Sequence, residues 1–119
     1  MRFLLLTILS LMLSFAGFTQ KDSLLQVIEN TTDDSTKAEA YIQIGLLYYQ
    51  VNPDSSRYWN FKALEHAEKA DDLLHRAAIE KFIGLSHMPQ ENYEEAIVWF
   101  KKSAKKMAEM NNKRNTSML

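Results

Sequence analysis

Residues 83–103 read IGLSHMPQENYEEAIVWFKKS, from Ile83 to Ser103. Gly84 sits in a helical run. A short breaker follows at Pro89-Gln90-Glu91-Asn92, and then Tyr93, Ala96, Phe100 and Ser103 recur at spacings of three, four and three. That period keeps one side of a helix apolar or small. The same design stands one unit earlier as Tyr41-x2-Ile44-Gly45-x2-Tyr48, then Pro53, then a second helix through Ala63. A glycine inside a helix costs about 1 kcal/mol relative to alanine. Its matched place in two units points to a close crossing by a neighbouring helix.

Working outward, Thr36 with Glu39 forms a capping-box signature for a helix running to about Gln50. Ala38, Tyr41, Gly45 and Tyr48 make one stripe and Ile42, Leu46 and Tyr49 a second, which suits a helix with neighbours on both flanks. Asn52 caps the next helix and Pro53 takes its first position, where a missing N–H costs nothing. That helix runs to about Lys69 with Trp59, Ala63, Ala67 and Ala70 along one side. Asp71-Asp72 is a tight junction without the glycine that helix ends favour. The following helix spans Leu73 to His87, with Leu74, Ala77, Ala78 and Ile83 inward. A last helix runs from Tyr93 to Met110, with Glu94 and Glu95 in its first turn and Lys105 and Lys106 near its end, as the helix dipole prefers. Ahead of these, Lys21 to Asn30 forms a short helix with Leu24, Leu25 and Ile28 on one side, capped by Asp22 or Ser23, and Thr31–Asp34 is a polar break. No alternating β-rich run occurs, so the expected class is all-α.

These spacings resemble the tetratricopeptide repeat (TPR) family, whose pattern is W-x2-L-G-x2-Y and then A-x3-F. In the second unit Ile83-Gly84 stand for Leu-Gly, Tyr93 for the aromatic that opens the second helix, Ala96 for the small residue and Phe100 for the Phe. Ser103 replaces the usual Ala, Glu80 the Trp and His87 the Tyr. In the first unit Tyr41, Ile44, Gly45 and Tyr48 match, Ser56 takes the small position and Asn60 the aromatic one. Gly45 and Gly84 stand 39 residues apart, so the units are longer than the usual repeat. The resemblance implies antiparallel helix pairs stacked as a right-handed α-solenoid, about five helices after a leader. Residues 20–34 would be a leading half-repeat and 35–110 two units. Longer units of this kind are similar to those in the extracytoplasmic sensor portions of bacterial signalling proteins. The resemblance further implies a protein or peptide partner on the concave side, lined by Ile42, Leu46, Tyr49 and Gln50 from the first unit and Lys81, Leu85 and Met88 from the second. Lys81 is the only cation among them, so a carboxylate clamp is not expected. The alternative use of this apolar stripe is packing against the next repeat.

Composition narrows the function classes. The chain has 119 residues, which bounds it to one small domain. Residues 1–19 have the form of a signal peptide: Arg2 is the only charge in the first twenty residues, and cleavage fits after Ala16 or after Thr19. The competing reading, an uncleaved anchor, is short of the ~20 apolar residues a span needs. A periplasmic or extracytoplasmic location follows as an expectation. There is no Cys, which removes a lipid-anchored signal and disulfides. The formal net charge of −1 gives no basic stripe for nucleic acid. His66, His75 and His87 lie on different helices or their ends without metal-ligand spacing, so neither metal nor cofactor is expected. Adjacent carboxylates Glu94 and Glu95 diverge on a helix, and no G-x-S-x-G or P-loop occurs. Lys101, Lys102, Lys105 and Lys106 form a solvated basic face, while Met107 and Met110 pack. Asn111–Asn115 has the composition of a polar break, and Thr116-Ser117 resembles the Ser35-Thr36 helix start. Residues 111–119 would then begin a further unit or form a tail, with a homodimer as the alternative cover for the open face. The function that the resemblance implies, together with the leader, is a protein-binding scaffold, the exported N-terminal part of a longer signalling protein. The alternatives are an envelope assembly scaffold, or the non-catalytic portion of a larger enzyme.

Overall fold

A computed structural model describes residues 2–117. Five α-helices follow one another: α1 (Arg2–Asn30), α2 (Asp34–Tyr48), α3 (Pro53–Lys69), α4 (Leu73–His87) and α5 (Tyr93–Ser117). A 3-10 turn at Met88–Gln90 links the last two, and no strand occurs among the described residues. Each helix packs on the next in sequence, and α2 also touches α4.

Three of the starts are set by short polar side chains. Asp33, Asn52 and Asp72 each accept a hydrogen bond from the backbone N–H three residues on, at 3.0, 3.2 and 3.1 Å. Each satisfies one of the orphan donors of a helix N-terminus. The expected capping box at Thr36 is not used. Asp33 is as good a cap and adds a negative charge at the dipole's positive end, so α2 starts earlier and Thr36 lies inside it. The glycine-free junctions after α3 and after the 3-10 turn are closed by Asp71 at φ 51° and Glu91 at φ 57°, both left-handed.

Two boundaries differ from expectation. α1 begins at Arg2 rather than near Lys21 and passes through both expected cleavage positions. Between 2 and 30 only Gly17 disfavours a helix, and one glycine does not break one. Of the side chains at 9–18 nothing is described. At the other end α5 continues through Asn111–Asn115 to Ser117, so no break stands there. Asparagine is a weak helix former and not a breaker, and that stretch has no Gly or Pro. Thr116-Ser117 therefore lies within α5 instead of opening a new helix; Met118 and Leu119 lie outside the described residues.

The core lies where α2, α3 and α4 meet. Ala38, Ile42, Ala63, Ala67, Ile79 and Ile83 form one buried cluster, with Tyr41, Leu64, Phe82 and Trp99 packed against it. The alanines of α2 and α3 make room for the isoleucines of α4. Of the residues expected inward on α4, Ala77 and Ile83 are buried and Ala78 half-buried, but Leu74 is 62% exposed. On α3, Ala70 is likewise exposed.

Both glycines mark the same crossing. A Cβ on Gly45 would stand 2.8 Å from Asn60 Nδ2 and 3.3 Å from the Ser56 carbonyl oxygen. One on Gly84 would stand 2.7 Å from Phe100 Cε1 and 3.1 Å from the Ala96 carbonyl oxygen. The glycines are 39 residues apart and their partners 40. The added residue falls in the link that holds the 3-10 turn. Other pairs recur at the same interval. Tyr41 stacks on His66 with centroids 5.5 Å apart, and one unit later Glu80 binds Lys106 at 2.5 Å. Lys21 of α1 sits 5.2 Å above the Trp59 ring of α3, and Phe61 of α3 meets the Trp99 ring of α5 at 5.5 Å. Contacts at this interval thus join α2 to α3 as they join α4 to α5, and α1 to α3 as they join α3 to α5.

Candidate functional site

A groove of about 430 Å³ opens where α1, α2 and α4 come together. Leu24 and Val27 of α1 and Ala40 of α2 give it apolar walls, and Thr36, Glu39, Gln43 and His75 a polar rim. Its existence has a local cause. Ala40 stands where α4 carries Ile79, and Ile79 fills the corresponding junction one unit later. A smaller side chain at the same place leaves space.

The rim is a connected network. His75 Nδ1 lies 2.5 Å from Asp72 Oδ2 and Nε2 2.8 Å from Glu39 Oε2, so the imidazole bridges α4 to α2. Ser35 donates to Asp72 at 2.8 Å and Gln43 to Glu39 at 3.1 Å. Burial by itself lowers the His75 pKa, but its hydrogen bonds to Asp72 and Glu39 outweigh that and hold it above 6.5. Burial raises Asp72, yet hydrogen bonds from the His75 N–H, the Ser35 hydroxyl and the His75 ring hold it below 3.8. His87, half-buried, is held below 6.5 by burial and then by the Arg57 charge. No group of three or more His, Cys, Asp or Glu among the described residues is placed to hold a metal ion.

The expected concave residues divide. Leu46 is exposed and shares one stripe of α2 with Thr36, Glu39 and Gln43, at spacings of three and four, while Gln50, also exposed, lies in the turn after α2, which ends at Tyr48 rather than near Gln50. Tyr49 and Leu85 are half-buried, and Lys81 and Met88 exposed. Ile42 is different: it is 4% exposed inside the core cluster, covered by the next unit, and lines no free surface. Among the signature positions, Ile44, Ala63, Ile83 and Ala96 are buried, and Tyr41, Tyr48 and Phe100 half-buried. Ser103, where the resembled pattern has alanine, is buried with its hydroxyl donating to the Ala77 carbonyl at 2.7 Å. Tyr93 is half-exposed, and so is Met107, which was expected to pack. Lys106 leaves the expected solvated face and folds onto Glu80, while Lys102 lies 4.2 Å over the Trp99 ring.

Several connectors carry no signal in local spacing. Arg57 donates to the Ser86 carbonyl at 2.9 Å and to Gln90 at 2.8 Å, and pairs with Asp54. It ties α3 to the end of α4 by satisfying a last-turn carbonyl. His66 binds Asp34 at 2.8 Å. Lys21 donates to the Tyr48 hydroxyl at 2.8 Å and docks α1. The Lys21–Phe61–Lys101 interval of forty is the one clue the sequence held. Comparisons with protein-family models, curated proteins and solved structures found no match. Among the described residues no helix is long and apolar enough to cross a membrane.

Proposed function

We propose that this chain is a TPR-like scaffold, a right-handed stack of antiparallel helix pairs that holds a protein or peptide partner without catalysing a reaction. The observation that carries it is the doubled glycine crossing, Gly45 on Asn60 and Gly84 on Phe100. Two units built alike place two first helices, α2 and α4, side by side, and a repeat surface of that kind suits an extended partner. The partner lies along the α2 stripe from Glu39 and Gln43 to Leu46 and on to Gln50 in the turn after it, beside Leu85 and Met88. One apolar side chain enters the groove between Leu24, Val27 and Ala40. The apolar leader at residues 1–19 supports export, and with it a role as the sensory part of a signalling protein.

A photo-crosslinking amino acid at Gln43 or Leu46 tests this in cells. The expected result is one dominant crosslinked partner, lost when Leu85 is changed to Asp, with helicity by circular dichroism retained. The same pattern of crosslinks from a probe at Glu68 on α3 would contradict it.

A further inference from the structure

The junction between the first and second units is filled. α4 lays Ile79 and Ile83 into a bed made by Ala38 and Ile42 of α2 and Ala63 and Ala67 of α3. The equivalent bed one unit later is Ala77 and Lys81 of α4 with Ser103 and Met107 of α5. There the structure has a groove of about 190 Å³, flanked also by Leu74 and Ala78. Leu74 is 62% and Met107 49% exposed, and no described helix covers them. Ile97, where Arg57 grips α4 one unit earlier, is 51% exposed.

We propose that this α4–α5 groove docks an acidic amphipathic helix of a partner polypeptide, seated as α4 is seated on α2 and α3. The substitutions between the two beds state what that helix carries. Lys81 replaces Ile42 and is the only charge among the six lining residues. Lys81 has no carboxylate within ion-pair distance among the described residues, its ammonium lying 5.5 Å over the Phe82 ring. The docked helix therefore brings a carboxylate to Lys81 beside two aliphatic residues four apart, the counterparts of Ile79 and Ile83. Leu74 and Ala78 replace Ser35 and Glu39, whose partners on α4 are Asp72 and His75. The helix is accordingly apolar in its first turn where α4 is polar. Lys101 continues the series in which Lys21 meets Trp59 and Phe61 meets Trp99, so an aromatic residue following the docked helix would find a cation. A second copy meeting this face with its own would set Lys81 against Lys81, which disfavours self-pairing. The inference stands on the helix-pair repeat and is separate from the partner of the α2 stripe.

Fluorescence anisotropy with the full chain tests it. The probe is a labelled synthetic peptide of the length of α4, with Leu in its first turn, Ile at two positions four apart and Glu beside them; a twin carries Lys for each Glu. The Glu peptide is expected to bind about tenfold tighter than its twin at low salt, roughly the swing of one rim charge pair from attraction to repulsion. Lys81→Glu reverses that preference while leaving the circular dichroism unchanged. Leu74→Asp with Met107→Asp removes binding of both peptides. Equal binding of the two peptides, or no binding of either, overturns the proposal. So does a chain that sediments as a dimer which Leu74→Asp dissociates, since a second copy would then own the groove.

Discussion

Glu80 and Lys106 stand where Tyr41 and His66 stand one unit earlier, so an aromatic stack there is exchanged for an ion pair. The carboxylate is 4% exposed, with one oxygen held by Lys106 and the other unpartnered. Lys106→Met leaves a buried charge without compensation and is expected to cost roughly 3 kcal/mol in urea unfolding. Changing both Glu80 and Lys106 to Leu should restore most of that loss; a double variant as unstable as the single one would contradict the pairing. His75 makes a second prediction. Its pKa is raised above 6.5, so its contribution is complete below pH 6.5 and fades as the pH climbs through the folded-state value. The stability advantage of the native chain over His75→Gln should therefore be largest near pH 6 and shrink in more alkaline urea melts. An advantage that grows with pH would reverse the sign and the assignment. At this scale the sequence disclosed little. Glu80 and Lys106 are 26 residues apart, as are Ser103 and Ala77, and nothing in local spacing announces which helices cross.

Elements were far more legible, because caps, breakers and period are local. Asn52-Pro53 and the Leu73–His87 span were readable as they stand, whereas the start at Asp33 and the extents of α1 and α5 were not. In the first case two caps of similar strength competed, and in the others an apolar stretch ahead of α1's docked half and a polar one at the end of α5 had no residue that forbids a helix. The left-handed link at Glu91 is an element-scale weakness, since a non-glycine residue there costs about 1–2 kcal/mol. Glu91→Gly should raise stability by roughly 0.5–1 kcal/mol after the entropy of a freer unfolded chain is counted. Unchanged or lower stability in chemical denaturation would mean that the turn is not held as described. The glycine crossing predicts the opposite sign. Gly84→Ala gains about 1 kcal/mol of helix propensity, but its Cβ meets the Phe100 ring and the Ala96 carbonyl. Overpacking costs of about 1–3 kcal/mol make the variant a net loss. Phe100→Leu in the same chain should recover part of it, and independent, additive effects would show that the two do not touch.

The whole molecule is elongated: its radius of gyration is 17.7 Å, against about 13–14 Å for a compact chain of this length. Sequential stacking contributes, and α1 contributes more. Its 29 residues run about 43 Å, nearly twice the length of the 15-residue α2 beneath it. Lys21, Leu24, Leu25 and Ile28 lie in the half that docks, while Leu4, Leu5 and Ile8 are exposed. A chain beginning at Gln20 should accordingly keep the melting temperature of the full chain. Whether one helix-pair design is used twice can be read by nuclear Overhauser spectroscopy of the labelled chain. Cross-peaks are expected from the Gly84 α-protons to the Phe100 ring and from the Gly45 α-protons to the Asn60 side-chain amide. Neither cross-peak, or the first without the second, would contradict the repeated design.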